Sequence, residues 1–390
     1  MKRRLLPLLL AAALLLGGTA ACSAPPPPSP SATPEPTATA EPTAEPAKDY
    51  KYAQNAFGKD ETVMTINGLE VSWGEYFYWM LTSVQYIEMY FGDVTDWDSA
   101  CPFDQSKSVR EYTEEIALSY LKEFYTIKAY AAEMGVSLPE GDTARLDEIW
   151  EQDIEAYGGG DEAAFLEMME STYLSREIYD SLNTAALLFH DTFADMYGES
   201  GEKMSGEEVL AAAQEQGYLR AKHILIMTID ETQQPYSDEI KAEKRSQAED
   251  ILSQLASAED KNARFDELML EFSEDTGLVA YPEGYTFGPG EMVPEFEEGA
   301  KALEPGEYSD IIETAYGYHI IMRLAVSPED IVTYTNDGKG QNLRYIITNM
   351  LYNAKIEEAI GNAEVIFTEK FQDLDIAEVF SPGPKDGADS

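Results

Sequence analysis

The chain has 390 residues, 44% of them hydrophobic, with 73 acidic against 27 basic side chains and a formal charge of −46. That length allows two or three domains with real cores. The negative excess argues against nucleic acid, because phosphate contact needs Lys and Arg, and against docking on an anionic membrane face. It reads as a solubility device, with clients carrying basic segments as a secondary reading. The two cysteines, Cys22 and Cys101, give neither a disulfide framework nor zinc spacing, and no metal is expected.

Lys2, Arg3 and Arg4 open the chain, Leu5 to Leu16 form an apolar run, and small residues lead to Cys22. This is the pattern of an export signal over residues 1–22. The run is shorter than the roughly 20 apolar residues that span a bilayer. Thr19-Ala20-Ala21-Cys22 resembles a bacterial lipobox, in which the cysteine carries lipid and becomes the new N-terminus. Ordinary secretion with cleavage near Ala21 is the other reading. Loss of the signal removes its three cations and takes the charge from −46 to −49. Residues 23–58 read as a disordered stalk. Within it, Ser23–Asp49 holds nine of the 20 prolines and no large apolar residue, so it cannot bury a core. At about 3.1 Å per residue in the polyproline II limit, it would hold the folded part up to roughly 80 Å from a membrane.

Glu61–Val71 predicts two short strands joined by an Asn67-Gly68 turn. Ser72 then caps a helix, with Glu75 at capping-box distance. Its stripe of Trp73, Tyr76, Phe77 and Trp79, continuing to Tyr86, Met89 and Tyr90, either packs as core or lines a groove for unfolded peptide. From Ser106 to Met134, Val109, Tyr112, Ile116, Tyr120, Phe124, Ile127 and Tyr130 recur at spacings of three and four, which predicts a long amphipathic helix. Helical patterns follow through Leu146, Ile149, Trp150 and Ile154, and through Leu174, Ile178, Leu182, Phe189 and Phe193. Cys101, and His190 in the last of these helices, read as structural. Residues 59–217 thus form a mostly helical lobe.

The period then changes. Tyr218–Ile229 is rich in β-branched residues, reads as a strand and holds His223. Helices are predicted at about 238–256 and 264–272, a Gly- and Pro-rich loop over 277–290, and a short helix opening at Pro294. Glu304-Pro305-Gly306-Glu307 reads as a turn, followed by strands Tyr308–Ile312 and Tyr318–Leu324, with His319 near the start of the second. Residues 326–380 return to helix, chiefly Asn342–Ala359, which is expected to pack on the N-terminal lobe, and 381–390 form a tail. The fold class is α+β. A small βαααββ domain with an antiparallel or mixed four-stranded sheet, residues 218–325, is inserted in a mostly α-helical, chaperone-like lobe.

Four pieces of that domain stand in one order: AKHILI (221–226), FDELMLEFSEDTG (265–277), GPGEMVPEFEEGAKALEPGEYS (288–309) and TAYGYHII (314–321). In this order the segment resembles a parvulin-type peptidyl-prolyl isomerase. With the export signal and helical flanks, the chain is similar to PrsA-like and SurA-like extracytoplasmic foldases. The resemblance implies that His223 and His319 face each other across central strands at the floor of a proline site. It places Asp275 where the family carries Asp or Cys, Thr314 on the rim behind the histidines, and Met292, Phe296 and Phe287 in the wall that grips the proline ring. It implies isomerase activity without a cofactor on unfolded or partly folded exported proteins containing X-Pro bonds. The implied location is the outer face of a bacterial cell membrane, anchored at Cys22; a homodimer is allowed by the sequence.

The residue types suit that chemistry. Twisting an X-Pro bond breaks amide resonance, a barrier of about 18–20 kcal/mol, and no covalent bond must break. A catalyst need only favour the twisted state. An apolar cup of Met and Phe accommodates the ring, and a histidine pair sets the local field. Paired histidines also occur as satisfied core networks. The stretch Glu283-Gly-Tyr-Thr-Phe-Gly-Pro-Gly-Glu-Met292 departs from the Gly-Asp-Leu-Gly element common in parvulins. That departure motivates a second reading, a holdase whose parvulin domain binds peptide without turnover. With nine Lys and Arg against 23 Asp and Glu in residues 218–325, phosphoserine-directed recognition is not expected.

Overall fold

The computed structural model describes residues 50, 57–138, 143–372, 374–375 and 379. The export signal, Cys22, Ser23–Asp49 and the tail at 381–390 lie outside these residues. Among the described residues the elements run, in chain order, β1 (Thr62–Ile66), β2 (Leu69–Ser72), α1 (Trp73–Phe91), α2 (Val109–Glu133), α3 (Thr143–Gly158), α4 (Glu162–Ser171), α5 (Arg176–Tyr197) and α6 (Gly206–Glu215). They continue with β3 (Leu219–Met227), α7 (Asp238–Ser257), α8 (Lys261–Phe272), a 3-10 turn (Thr276–Val279), β4 (Tyr285–Phe287), α9 (Pro294–Lys301), β5 (Ile312–Glu313) and β6 (Gly317–Leu324). The last are β7 (Ile331–Tyr334), β8 (Gly340–Asn342), α10 (Leu343–Gly361), β9 (Val365–Phe367) and α11 (Glu369–Gln372). The chain divides into two compact units, Met1–Asp195 with Tyr352–Ser390, and Met196–Leu351.

In the first unit, Asn67 and Gly68 both take positive φ, +50° and +80°, the conformation a two-residue hairpin needs. Strand β1 pairs antiparallel with β2 and, on its other edge, with β9. Ser72 caps α1 by accepting the Glu75 amide at 3.2 Å. The aromatic stripe of α1 is core over its first turns: Trp73, Phe77 and Trp79 are sealed, and Trp79 stacks on Tyr120 at 4.4 Å. Its end differs, because Tyr90 and Phe91 are 55% and 53% exposed. Helix α2 begins in a full capping box between Ser108 and Glu111. The loop before it seals Cys101, whose exposure is 0%. Two residues of the expected stalk are part of this unit. Tyr50 is buried and its amide donates to the Tyr173 hydroxyl at 2.7 Å, and Phe57 lies buried on Trp73 at 4.7 Å. Aromatic surface, which the proline-rich stretch lacks, is what pins them. His190 is 59% exposed at its side chain, beside Asp191.

The second unit is built on a four-stranded antiparallel sheet in the order β4-β3-β6-β5. Over residues 218–325 the element order is β-α-α-β-α-β-β. The extra strand, β4, lies inside the stretch expected to be loop. The last strand pair also differs from expectation. Tyr308 makes only an isolated bridge to Met322, and β5 starts at Ile312. At Ser309 the side-chain hydroxyl accepts the Ile321 amide at 2.9 Å, so a side chain replaces a backbone carbonyl and the ladder is interrupted. The Glu304–Glu307 turn forms with Gly306 at φ +94°, and Pro294 opens α9. The unit is wider than 218–325. Val209 and Ala213 of α6 and Tyr218 pack on Leu343 and Ile347 of α10, and β7–β8 form an antiparallel hairpin beyond the last sheet strand.

Candidate active site

Side chains alternate across a sheet, and this alternation places the two histidines. His223 of β3 pairs with Ile321, and His319 of β6 pairs with Leu225. The histidines are therefore diagonal neighbours on one face, within reach of each other's rings. Their centroids are 5.1 Å apart. They are 7% and 4% exposed, respectively. Gly317 opens β6 where the Ile226 carbonyl approaches so closely that a Cβ would sit 2.2 Å from its oxygen. Glycine is thus a steric requirement two residues before His319.

The surroundings of the pair are unequal. His319 Nε2 pairs with Thr314 Oγ1 at 2.9 Å, and Thr314 also accepts the Tyr316 amide at 3.1 Å. His223 Nε2 faces Asp275 Oδ2 at 3.5 Å. Asp275 caps the 3-10 turn, its Oδ1 accepting the Gly277 amide at 2.9 Å. Both ring nitrogens of His223 and Nδ1 of His319 are buried without a hydrogen-bond partner. Burial holds both imidazoles below their ordinary pKa. For His319 the neighbouring His223 adds to the effect, Asp275 opposes it, and the value falls to about 3. For His223 burial likewise lowers it, against the attraction of Asp275. Both rings are neutral at pH 7, and an uncharged pair can sit in an apolar pocket without a desolvated charge.

Phe296 of α9 stands edge-on to both rings, 5.1 Å from His223 and 5.6 Å from His319. Met292 is partly buried in the same cluster. Phe287 is 1% exposed and packs behind Phe296 at 5.9 Å, so it backs the wall rather than facing solvent. The structure thus brings His223, Asp275, Thr314, His319, Met292 and Phe296 to one face of the sheet, with Phe287 behind. Cys22 lies outside the described residues. Among the described residues, no cluster of three or more His, Cys, Asp or Glu is placed to hold a metal.

Sequence reasoning missed Tyr285. Its hydroxyl donates to Asp275 Oδ2 at 2.6 Å, and its ring lies nearly parallel to His223, at 5.9 Å and 19°. Tyr285 sits on β4, where Gly284, at φ +98°, lets the backbone close on Ala221; a Cβ there would lie 2.6 Å from the Ala221 oxygen. The available signal was the departure itself, Gly284-Tyr285-Thr286-Phe287 in place of the usual element.

Part of the chain is similar to known proteins. Residues 223–325 match the PPIC-type PPIase (rotamase) domain family. The foldase protein PrsA of Oceanobacillus iheyensis is 40% identical over 100 residues, covering 25% of this chain and 33% of the relative. PrsA of Geobacillus kaustophilus is 34% identical over 127 residues, 30% of this chain and 45% of the relative. The chaperone SurA of Thiobacillus denitrificans is 34% identical over 111 residues, 28% of this chain and 23% of the relative. The chain therefore spans less than half the length of these curated relatives.

Proposed function

We propose that this chain, whose residues 223–325 form a parvulin-type peptidyl-prolyl isomerase domain, acts as an extracytoplasmic foldase on exported proteins. Clients are unfolded or partly folded segments containing X-Pro bonds. The observation that carries the reading is the pair of buried, neutral histidines beside Phe296 and the partly open Met292.

The residues divide the work without a nucleophile. Met292 and Phe296 hold the pyrrolidine ring. Met follows its movement because the thioether is flexible, and Phe supplies a flat wall. A planar X-Pro amide is polarised, whereas the twisted amide has lost resonance and needs fewer hydrogen bonds. A floor of neutral imidazoles in a dry pocket therefore favours the twisted state over the planar ones, and only such a difference accelerates the reaction. Thr314 fixes the His319 ring, and Asp275 sets the field at His223. The basic start at Lys2–Arg4, the apolar run and Cys22 support export and a lipid anchor, with Ser23–Asp49 as the spacer.

A second reading, a holdase that binds without turnover, draws support from the exposed Tyr90 and Phe91. Together with Tyr86 and Phe103 they form an aromatic patch on the first unit, with ring spacings of 4.9 to 5.9 Å to Phe103. One measurement separates the readings. The purified mature chain is added to a proline peptide, and cis–trans exchange is followed by NMR. Acceleration above the spontaneous rate is expected; a spontaneous rate with the chain folded overturns the isomerase reading and leaves the holdase.

A further inference from the structure

We infer that Tyr285 is a positioning residue of the isomerase site and that the β7–β8 hairpin holds it in place through Tyr281. The inference rests on the isomerase reading above. Tyr285 touches both members of one contact. Its hydroxyl donates to Asp275 Oδ2 at 2.6 Å, the same oxygen that faces His223 Nε2 at 3.5 Å. Its ring lies along the His223 ring at 5.9 Å. The titratable groups facing His223 are Asp275 from the turn after α8, Tyr285 from β4 and His319 from β6; α9 contributes the uncharged Phe296.

An O–H donated to a carboxylate withdraws part of its charge, and such charge-assisted bonds are short and strong. Burial and then the bond to Asp275 push the Tyr285 phenol well above its ordinary range. It therefore stays a donor at neutral pH. Burial keeps the His223 imidazole neutral, and the donor, by aiming Asp275 and reducing its charge toward His223, weakens the pull that opposes it. Without it, the bare carboxylate attracts a proton to His223.

The support for Tyr285 reaches beyond the matched segment. Tyr281 packs on Tyr285 at 5.0 Å, tilted by 38°, and Tyr334 of β7 packs on Tyr281 at 5.5 Å, tilted by 57°. The Tyr334 hydroxyl donates to the Ala280 carbonyl at 3.2 Å. Asp330, just before β7, pairs with Arg220 of β3 at 3.1 Å. Three tyrosines thus run from a surface hairpin, where Tyr334 is 42% exposed, to the carboxylate at the pocket floor.

The test uses the full mature chain with Tyr285→Phe and, separately, Tyr334→Ala. The readouts are kcat/KM against pH on a proline peptide and NMR titration of the ring protons, which three histidines per chain make assignable. For Tyr285→Phe, kcat/KM is expected to fall about ten-fold, the worth of one bond to a charged group. Its acid limb and the His223 titration are expected to move together to higher pH. Tyr334→Ala is expected to move both the same way by a smaller amount. An unchanged pH profile and His223 titration in Tyr285→Phe overturns the positioning role, even if thermal stability drops. A shift in Tyr285→Phe with none in Tyr334→Ala overturns the part played by the hairpin. If the wild-type chain shows no isomerisation, the functional reading falls. The His223 titration then still decides: a shift in Tyr285→Phe supports the placement, and no shift overturns it.

Discussion

The two faces of the β4-β3-β6-β5 sheet are made by alternate residues of the same strands, yet they differ in kind. On one face Ile224, Ile226, Ile320 and Met322 meet Ala248, Ile251 and Leu255 of α7 and Phe265, Leu268 and Met269 of α8. This face is apolar and covered, apart from the buried Lys222, which pairs with Asp266 of α8. On the other, Ala221, Ile321, Phe287, Phe296 and Ala300 surround the two histidines, under a single short helix. The first face supplies stability, and that surplus lets the second keep buried nitrogens unpaired. Each unmade hydrogen bond costs about 1–3 kcal/mol, which a small unit tolerates only with a well-packed opposite side. A slip of one residue in register would exchange the faces, so the pattern that folds the sheet also sets the site.

The largest expected effect tests the covered face. Ile320→Ala should lower unfolding stability by about 2–5 kcal/mol, while the folded fraction keeps its isomerase rate; chemical denaturation paired with the peptide assay measures both. Loss of rate per folded molecule would mean that the two faces are not separable. Acidification comes next. In the folded chain both imidazoles are held neutral, His319 down to about 3, whereas in the unfolded chain they titrate near 6.5. Below about 6.5 the unfolded chain binds more protons, so stability falls as pH falls, by at most about 1.4 kcal/mol per pH unit for each histidine. Denaturation of wild type against a His223→Gln, His319→Gln double variant between pH 7 and pH 5 should show the wild type losing more.

Smaller effects test the open face. His319→Ala removes the ring that Thr314 fixes, and kcat/KM should fall about ten-fold, near 1.4 kcal/mol, with circular dichroism unchanged. Met292→Ala trims only the rim of the cup, and a loss of roughly three-fold in kcat/KM is expected from partial apolar contact.

The parts legible in the sequence were those with local physical signals. Asn67-Gly68 marked a hairpin, Ser108 and Glu111 lie at the start of the long helix, and β-branched runs marked β3 and β6. In a chain with three histidines, two fell on the central strands. The wall between Gly277 and Gly290 was not legible. Its strand β4 is three residues long, set among Gly277, Pro282, Gly284, Gly288, Pro289 and Gly290. It exists because Gly284 permits close pairing with β3, a tertiary fact with no local period. The β7–β8 hairpin did carry a signal, Asp337-Gly338 after the β-branched Ile331, Val332 and Thr333, and Gly338 takes φ +81°. The departure at residues 284–287 pointed to Tyr285 but not to its role, because its partner Asp275 is ten residues away across an irregular loop. The stalk boundary failed for a simpler reason: the composition of Ser23–Asp49 was extended to Tyr50 and Phe57, whose rings find hydrophobic cover in the first unit.

Cys101, with its sulfur shut away before α2, makes the first unit its own clock. A thiol with no exposure reacts only when the segment around it opens. Alkylation rates in dilute denaturant would therefore time the opening of that unit alone. The same shielding would keep an oxidising exterior from joining two copies of the folded chain through this sulfur.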